Sequence, residues 1–408
     1  MSGGFEVIVP NDKGDWINQR GDTFDNFIAL APETKFDAAA KSFFATYSNG
    51  LKTQRDAWAY NFSRDALAVN IQTTIDYYNT HKTTDIDSKK FVWSDLSKSN
   101  KLRRLVYKFN AAHIVESTYR PFCREQLYFD ERLNDRRGQF PKFFPTGGED
   151  NLLICVSGIG GEKELSAFIT NRITDLNALH SGTQCFPLYW YAEPVQGGLF
   201  GDNSTRRDGV TDWILRRARE LYGNTVTKAD IFYYVYGFLH LPKYREKFSS
   251  ELKKSLPKIF LVDDAQKFWQ LSRAGRALAD LHLNYERQPA PEGVEVVGAE
   301  RGNFHVTKLR FASKDDRTIL VYNSDVTIRN IPPRSFEYVV NGRSPLEWII
   351  DRYQIKRDKA SGLVNDANDW GSEHGNPRYI LDLILSCLTV SLRTLDIVDA
   401  LPEIDFDA

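Results

Sequence analysis

The stretch Leu153–Glu164, LICVSGIGGEKE, restricts the possible folds more than any other part of this chain. An apolar run enters a turn spaced by Gly158, Gly160 and Gly161, and a helix can follow. Strand, glycine turn and helix form the loop with which nucleotide and S-adenosylmethionine sites bring backbone N–H groups to a ligand. Such a site also needs an acidic residue for the ribose hydroxyls at the end of the next strand. Asp175 is the nearby candidate, but ITNRITDL before and around it is a poor strand pattern. A glycine turn between packed elements is the better reading. A degenerate methyltransferase built on Gly158 and Gly160 stays open as the enzymatic alternative.

Other catalytic signatures are missing. No G-x-x-x-x-G-K-[ST] loop occurs, nor an Asn-Pro-Pro-Tyr-like tetrapeptide of the kind that holds a flipped adenine. Asp87-Ser88-Lys89 matches the end of a nuclease motif but sits in a polar linker. Cys123, Cys155, Cys185 and Cys387 are scattered, and no two form C-x-x-C, so a zinc site is not expected. His113, His240 and His282 lack paired spacing and read as core or surface residues. The chain has 408 residues, 42% hydrophobic, without a run long enough to span a bilayer, and the Met1-Ser-Gly-Gly start gives no expectation of a secretory leader. A soluble, cytoplasmic protein without a membrane partner is expected.

Residues 1–118 read as mainly helical, with apolar spacing over Phe36–Tyr47 and Ser63–Asn79. From Tyr119 the pattern mixes short strands, at Leu152–Ser157 and Phe186–Tyr191, with helices. Thr227 and Asp230 make a capping box before Ile231, Tyr234, Val235, Phe238 and Leu239, and Pro242 ends that helix. Asp264–Asn284 carries a further helix. A linker near 286–300 precedes strand-like HVTKLRF, TILVY and FEYVV, with turn chemistry at Asn341-Gly342. Ser344-Pro345-Leu346-Glu347 and Asn376-Pro377 open two more helices. The expected class is mixed α+β: a helical connector over 1–118, then an α/β domain with a helical subdomain over 119–408.

Ten ordered blocks carry a family resemblance, among them TQRDAWAYNFS, YRPFCREQLYFDERLN, ICVSGIG, DIFYYVYGFLHLPKYREKF and YVVNGRSPLEWIIDRYQIK. Together they resemble the C-terminal target recognition part of type ISP restriction-modification enzymes, from about Asp12 to Leu401. In that family one polypeptide carries nuclease, ATP-driven translocase, adenine methyltransferase and target recognition segments. The resemblance implies sequence-specific reading of double-stranded DNA and no chemistry within this chain, whether it is an excised fragment or a split-gene product. S-adenosylmethionine, ATP and Mg would belong to upstream methyltransferase and helicase domains. A connector that touches DNA only through phosphates is the remaining alternative.

The formal net charge is −1, yet residues 101–142 carry ten Lys and Arg against five Asp and Glu. Such a window is either a solvated face or a local basic footprint. Lys52, Gln54 and Arg55 offer a phosphate contact, an adenine reader and a guanine reader. Alternatively, Arg55 pairs with Asp56 to fix the turn. Arg120 and Arg124, framed by Tyr119 and Pro121, come next, with an internal carboxylate as the competing partner of Arg120. Arg132, Asn134, Arg136, Arg137 and Lys142 have the composition of a phosphate-contacting strip. Arg206 and Arg207 lie in a long Gly-rich loop where base readers can sit.

Overall fold

The computed structural model describes residues 9–10, 13–16, 23–81, 87, 90–93, 95–192 and 205–406. The strands that build the site region are β1 (Ser48–Asn49), β2 (Tyr60–Asn61), β3 (Ile114–Arg120), β4 (Cys123–Tyr128), β5 (Leu153–Val156), β6 (Ala167–Thr170), β7 (Ile173–Thr174), β8 (Gln184–Pro187), β9 (Tyr189–Ala192) and β10 (Thr205–Asp208). The principal helices are α1 (Arg64–Thr80), α2 (Lys228–Phe238), α3 (Ala265–Leu283), α4 (Pro345–Arg352) and α5 (Tyr379–Asp399). Sheet order is β1-β8-β5-β6 in one sheet and β2-β4-β3-β7 in the other. Only two residues separate β6 from β7, so the chain steps directly between the sheets, and the Thr118 and Thr170 hydroxyls bond across the step at 2.6 Å.

The apolar run LICV is explained by burial on both faces. Leu153 and Cys155 point into a core shared with α4 and α5, whereas Ile154 and Val156 point into one shared with α2 and α3. The first sheet is thus a wall between two cores. A smaller core packs α1 residues Leu67, Ile71 and Ile75 against Ile114 and Tyr128.

No helix follows the glycine turn. The chain returns as β6, antiparallel to β5, with Val156 opposite Ala167. Gly160, at φ +83°, donates its N–H to the Lys253 carbonyl at 2.7 Å. A Cβ on Gly158 would lie 2.0 Å from the Ser181 carbonyl oxygen. The Gly158 approach is thus closed by backbone and the Gly160 N–H is already engaged, and with a strand in place of the helix this turn lacks the strand-loop-helix frame of the methyltransferase alternative.

The mixed α+β class is the observed one. The capping boxes at Thr227/Asp230 and Ser344/Glu347 both form, and Asp264 caps α3. Phe36–Tyr47 is not helical. Phe43 and Phe44 are adjacent and both fully buried, bonding to Ala29 and Leu30, which suits an extended segment. FEYVV is no strand either: Phe336 ends a 3-10 turn over Pro333–Phe336, and the Val340 carbonyl accepts from Trp348 Nε1 at 2.8 Å. The expected division at 118/119 falls inside β3, and β1 and β2 pair with β8 and β4 across it. Asn61 Nδ2 also donates to the Val364 carbonyl at 3.1 Å, and Asn365 Oδ1 accepts from Phe62 N at 2.9 Å.

His282 on α3 bonds Tyr236 Oη at 2.6 Å and Thr394 Oγ1 at 2.8 Å, tying α2, α3 and α5 together. Burial pushes His282 down to about 3 and His240 well below its ordinary 6.5. A folded pKa below the unfolded one means that protonation favours the unfolded chain. Stability is therefore present above 6.5 and lost as pH falls toward 3. Buried Glu125, pushed up to about 7, acts oppositely between 7 and 4.5. Below pH 4.5 Asp175, pushed up from 3.8 to about 6, still opposes the histidines, and does so equally when His282 is replaced. There, His282→Gln should lose stability less steeply than the unmodified protein, by up to ~1.4 kcal/mol per pH unit. Urea titrations at pH 3.5 and 4.5 measure it.

Candidate nucleic-acid interface

Residues 50–53 are fixed on both edges. Leu51 N donates to Thr174 O at 2.8 Å, and Leu176 N donates to Leu51 O at 2.8 Å. On the other edge Lys52 and Arg136 exchange both backbone bonds, at 2.9 and 3.0 Å. Two sequence-distant basic positions are thereby set side by side. Arg136 is 80% exposed, and Asp135 lies 3.1 Å from Lys52 Nζ and 3.9 Å from Arg136 Nε. One carboxylate shared by two cations leaves the pair net positive.

The turn after Lys52 alternates sharply. Thr53 is buried, and its hydroxyl donates to the Asp56 carboxylate while accepting from Arg55 N at 3.1 Å. Gln54 is exposed, with φ +60°. A non-glycine residue in the left-handed region costs of order 1 kcal/mol, and the locked neighbours hold it there. Arg55 is 4% exposed, and its guanidinium reaches Ser97 Oγ. Neither sequence reading of Arg55 fits: it is turned away from solvent, and Asp56 is engaged by Thr53, by Tyr119 Oη at 3.3 Å and by Arg120 at 3.9 Å.

Arg120 is partly buried and internally paired. Its Nη1 lies 2.6 Å from Asp175 Oδ1, and its guanidinium stacks 3.9 Å from the Tyr119 ring centroid. Burial pushes the Asp175 carboxyl up to about 6 against the pull of that guanidinium. Asp175 also accepts from Tyr60 Oη at 3.2 Å, so it is a structural anion, not a ribose ligand. Arg124 pairs with Glu286 at 2.5 Å and donates to the Leu283 carbonyl at 3.2 Å. Asn134 is buried, donating to Tyr128 O at 3.0 Å and accepting from Asp130 N at 2.8 Å. Arg55 and Asn134 are thus buried, whereas Arg120 and Arg124 are partly buried with their guanidinium groups held in internal ion pairs.

The remaining candidates reach the surface. Arg132 and Arg137 line a cleft of about 640 Å³ with Lys108 and His113, two residues that no local motif distinguishes. Arg132 donates to Val106 O at 2.9 Å, and Arg137 lies 3.4 Å from Glu131. Lys142 is half-buried on the neighbouring turn Phe140–Phe143. Arg206 and Arg207 are not on a loop but on β10, which pairs with β9 as a two-stranded ribbon. Both are exposed, and Arg206 lies 4.3 Å from the Tyr189 ring centroid. Residues 193–204 of the expected loop lie outside the described residues. Among the described residues no cluster of His, Cys, Asp and Glu could hold a metal ion, and no helix is long and apolar enough to cross a membrane.

A basic surface set on a rigid mixed fold fits a specificity module, and the chain belongs to the Type ISP C-terminal specificity domain family, whose model matches residues 42–383. Among solved structures it is similar to the ATP-dependent Type ISP restriction-modification enzyme LlaBIII bound to DNA, at 37% identity and TM-score 0.88, covering 98% of this chain and 25% of that one. A nuclease-deletion mutant of the Type ISP enzyme LlaGI in complex with a DNA substrate mimic gives 35% identity and TM-score 0.85, covering 99% and 37%. The DrdV-DNA complex gives 26% and 0.84, covering 99% and 41%. The chain thus spans between a quarter and about two fifths of the length of these relatives. No curated protein matches it.

Proposed function

We propose that this chain reads the sequence of duplex DNA for a Type ISP-like restriction-modification enzyme and performs no chemistry itself. The observation that carries this reading is the family match over residues 42–383, joined to likeness over 98–99% of the chain to structures described as DNA-bound. The reading includes an adenine methyltransferase and an ATP-dependent translocase-nuclease, using S-adenosylmethionine, ATP and Mg, on other segments of a cytoplasmic polypeptide. Recognition would direct the methyltransferase to its target base.

Lys52, Arg132, Arg136, Arg137 and Lys142 are assigned to phosphates, and Arg206 and Arg207 to a ribbon of a width that the major groove admits. Competition between random and enriched duplexes tests the function. A specific module in its complete enzyme should prefer its site by about 1000-fold or more, whereas equal competition would sink the reading. Arg136→Ala should weaken every sequence alike and reduce the slope of log affinity against log salt by about 0.9. A salt titration from 50 to 200 mM measures that slope, and a loss confined to one sequence would contradict the assignment.

A further inference from the structure

We propose that Gln54 is a base-reading residue of this chain, directed at an adenine in the major groove, with Thr53, Asp56 and Arg120 as its positioning residues. The inference rests on the DNA-recognition reading above and names the contact that would give it sequence preference.

Four observations converge on this one side chain. First, the backbone that leads to it is held on both edges, by Thr174 and Leu176 on one side and Arg136 on the other. A reader carried on such a frame loses little freedom on binding. Second, its two neighbours are turned inward: Thr53 is 1% and Arg55 4% exposed, so Gln54 is the member of the turn that projects. Third, its backbone is left-handed, at φ +60°, where glycine is the least strained residue. A long amide in that place is unfavourable unless the side chain is used. Fourth, among the described residues the Gln54 amide has no hydrogen-bond partner, so both its donor and its acceptor are available.

The surroundings select nucleic acid as the ligand. Lys52 and Arg136 flank the turn, and they favour a polyanion's backbone without regard to its sequence. Gln54 is neutral and gains little from the phosphate field. Its donor-acceptor pair instead matches adenine, which presents N7 as acceptor and N6 as donor in the major groove. The positioning residues act behind it. Thr53 Oγ1 holds the Asp56 carboxylate, which Tyr119 and Arg120 also engage, and Arg120 is anchored on Asp175 at 2.6 Å.

In vitro selection from a randomised duplex library, with the full chain as bait, tests the assignment. The unmodified protein should enrich a motif containing at least one fixed adenine. Gln54→Gly keeps the left-handed backbone and deletes the amide. It should lose discrimination at that one pair by roughly 5- to 150-fold and leave the other positions unchanged. Gln54→Glu should change the preferred base there from adenine to cytosine, because a carboxylate accepts from cytosine N4. Thr53→Val should blur the same position, and Thr53→Ser, which restores the hydroxyl, should recover it. An unchanged motif in Gln54→Gly, or an equal loss on all sequences, would overturn the assignment and leave the recognition function standing. Failure of the unmodified protein to enrich any motif would overturn both.

Discussion

Arg120→Ala should destabilise the protein by about 3 kcal/mol or more at pH 8, because it strands a carboxylate in the interior. Asp175 is 1% exposed, and Arg120 supplies its positive partner at 2.6 Å. Burial already pushes Asp175 up to about 6, and removing the guanidinium pushes it further in the same direction. A folded pKa raised above the unfolded value gives stability that is present at low pH and lost as pH rises. The variant's deficit should therefore be large at pH 8 and shrink toward pH 5, where the carboxyl takes up a proton. Urea unfolding at the two pH values measures this, and Arg120→Ala/Asp175→Asn should recover part of the loss at pH 8. A deficit below ~1 kcal/mol, or one independent of pH, would show that the ion pair does not hold this region.

Gly275→Ala is expected to be comparably damaging for a steric reason. A Cβ at Gly275 would lie 1.8 Å from the Tyr233 carbonyl oxygen and 2.7 Å from Gly237 N. At Gly237 the reciprocal atom would lie 2.3 Å from the Leu271 carbonyl oxygen. α2 and α3 thus meet backbone to backbone through two glycines, and any side chain must push them apart. Alanine is the better helix former by about 1 kcal/mol, but forcing a packed core costs up to about 3 kcal/mol or more. Net destabilisation of about 2 kcal/mol, read from thermal or urea unfolding, is the expected outcome. A neutral or stabilising substitution would mean that the two helices tolerate separation.

Local chemistry was legible from the sequence, and tertiary choice was not. The capping boxes at Thr227 and Ser344 form because their partners sit three residues away. LICV reads correctly as a strand, since its apolar run needs no distant information. The same run could not reveal whether a helix or a second strand follows, which depends on Ser181 and Lys253 packing against the turn. The site divides in the same way. Composition brings Lys52, Arg55, Arg120 and Arg136 forward as equals. Only long-range geometry separates Arg136, open to solvent, from Arg55, whose partner Ser97 lies 42 residues on, and Arg120, whose partner lies 55 residues on. A long cationic side chain carries no local mark of the direction it takes. Arg206 and Arg207 show the reverse case: a strand pairing with Tyr189–Ala192 forms where Gly-rich surroundings suggested a loop.

The bond from Asn61 to the Val364 carbonyl joins positions 303 residues apart. At a synthesis rate of roughly 5–20 residues per second, the first partner leaves the ribosome about 15–60 s before the second exists. Tyr60 and Asn61 can form β2 once β4 has emerged, but the hydrogen bond that closes over Asn61 must wait for 303 further residues. During that interval the apolar residues around Phe62 lack the cover that Tyr353 and Asn365 later provide. The segment around β2 is thus open to mispairing until Val364 and Asn365 have been made, and their arrival completes its native hydrogen bonding.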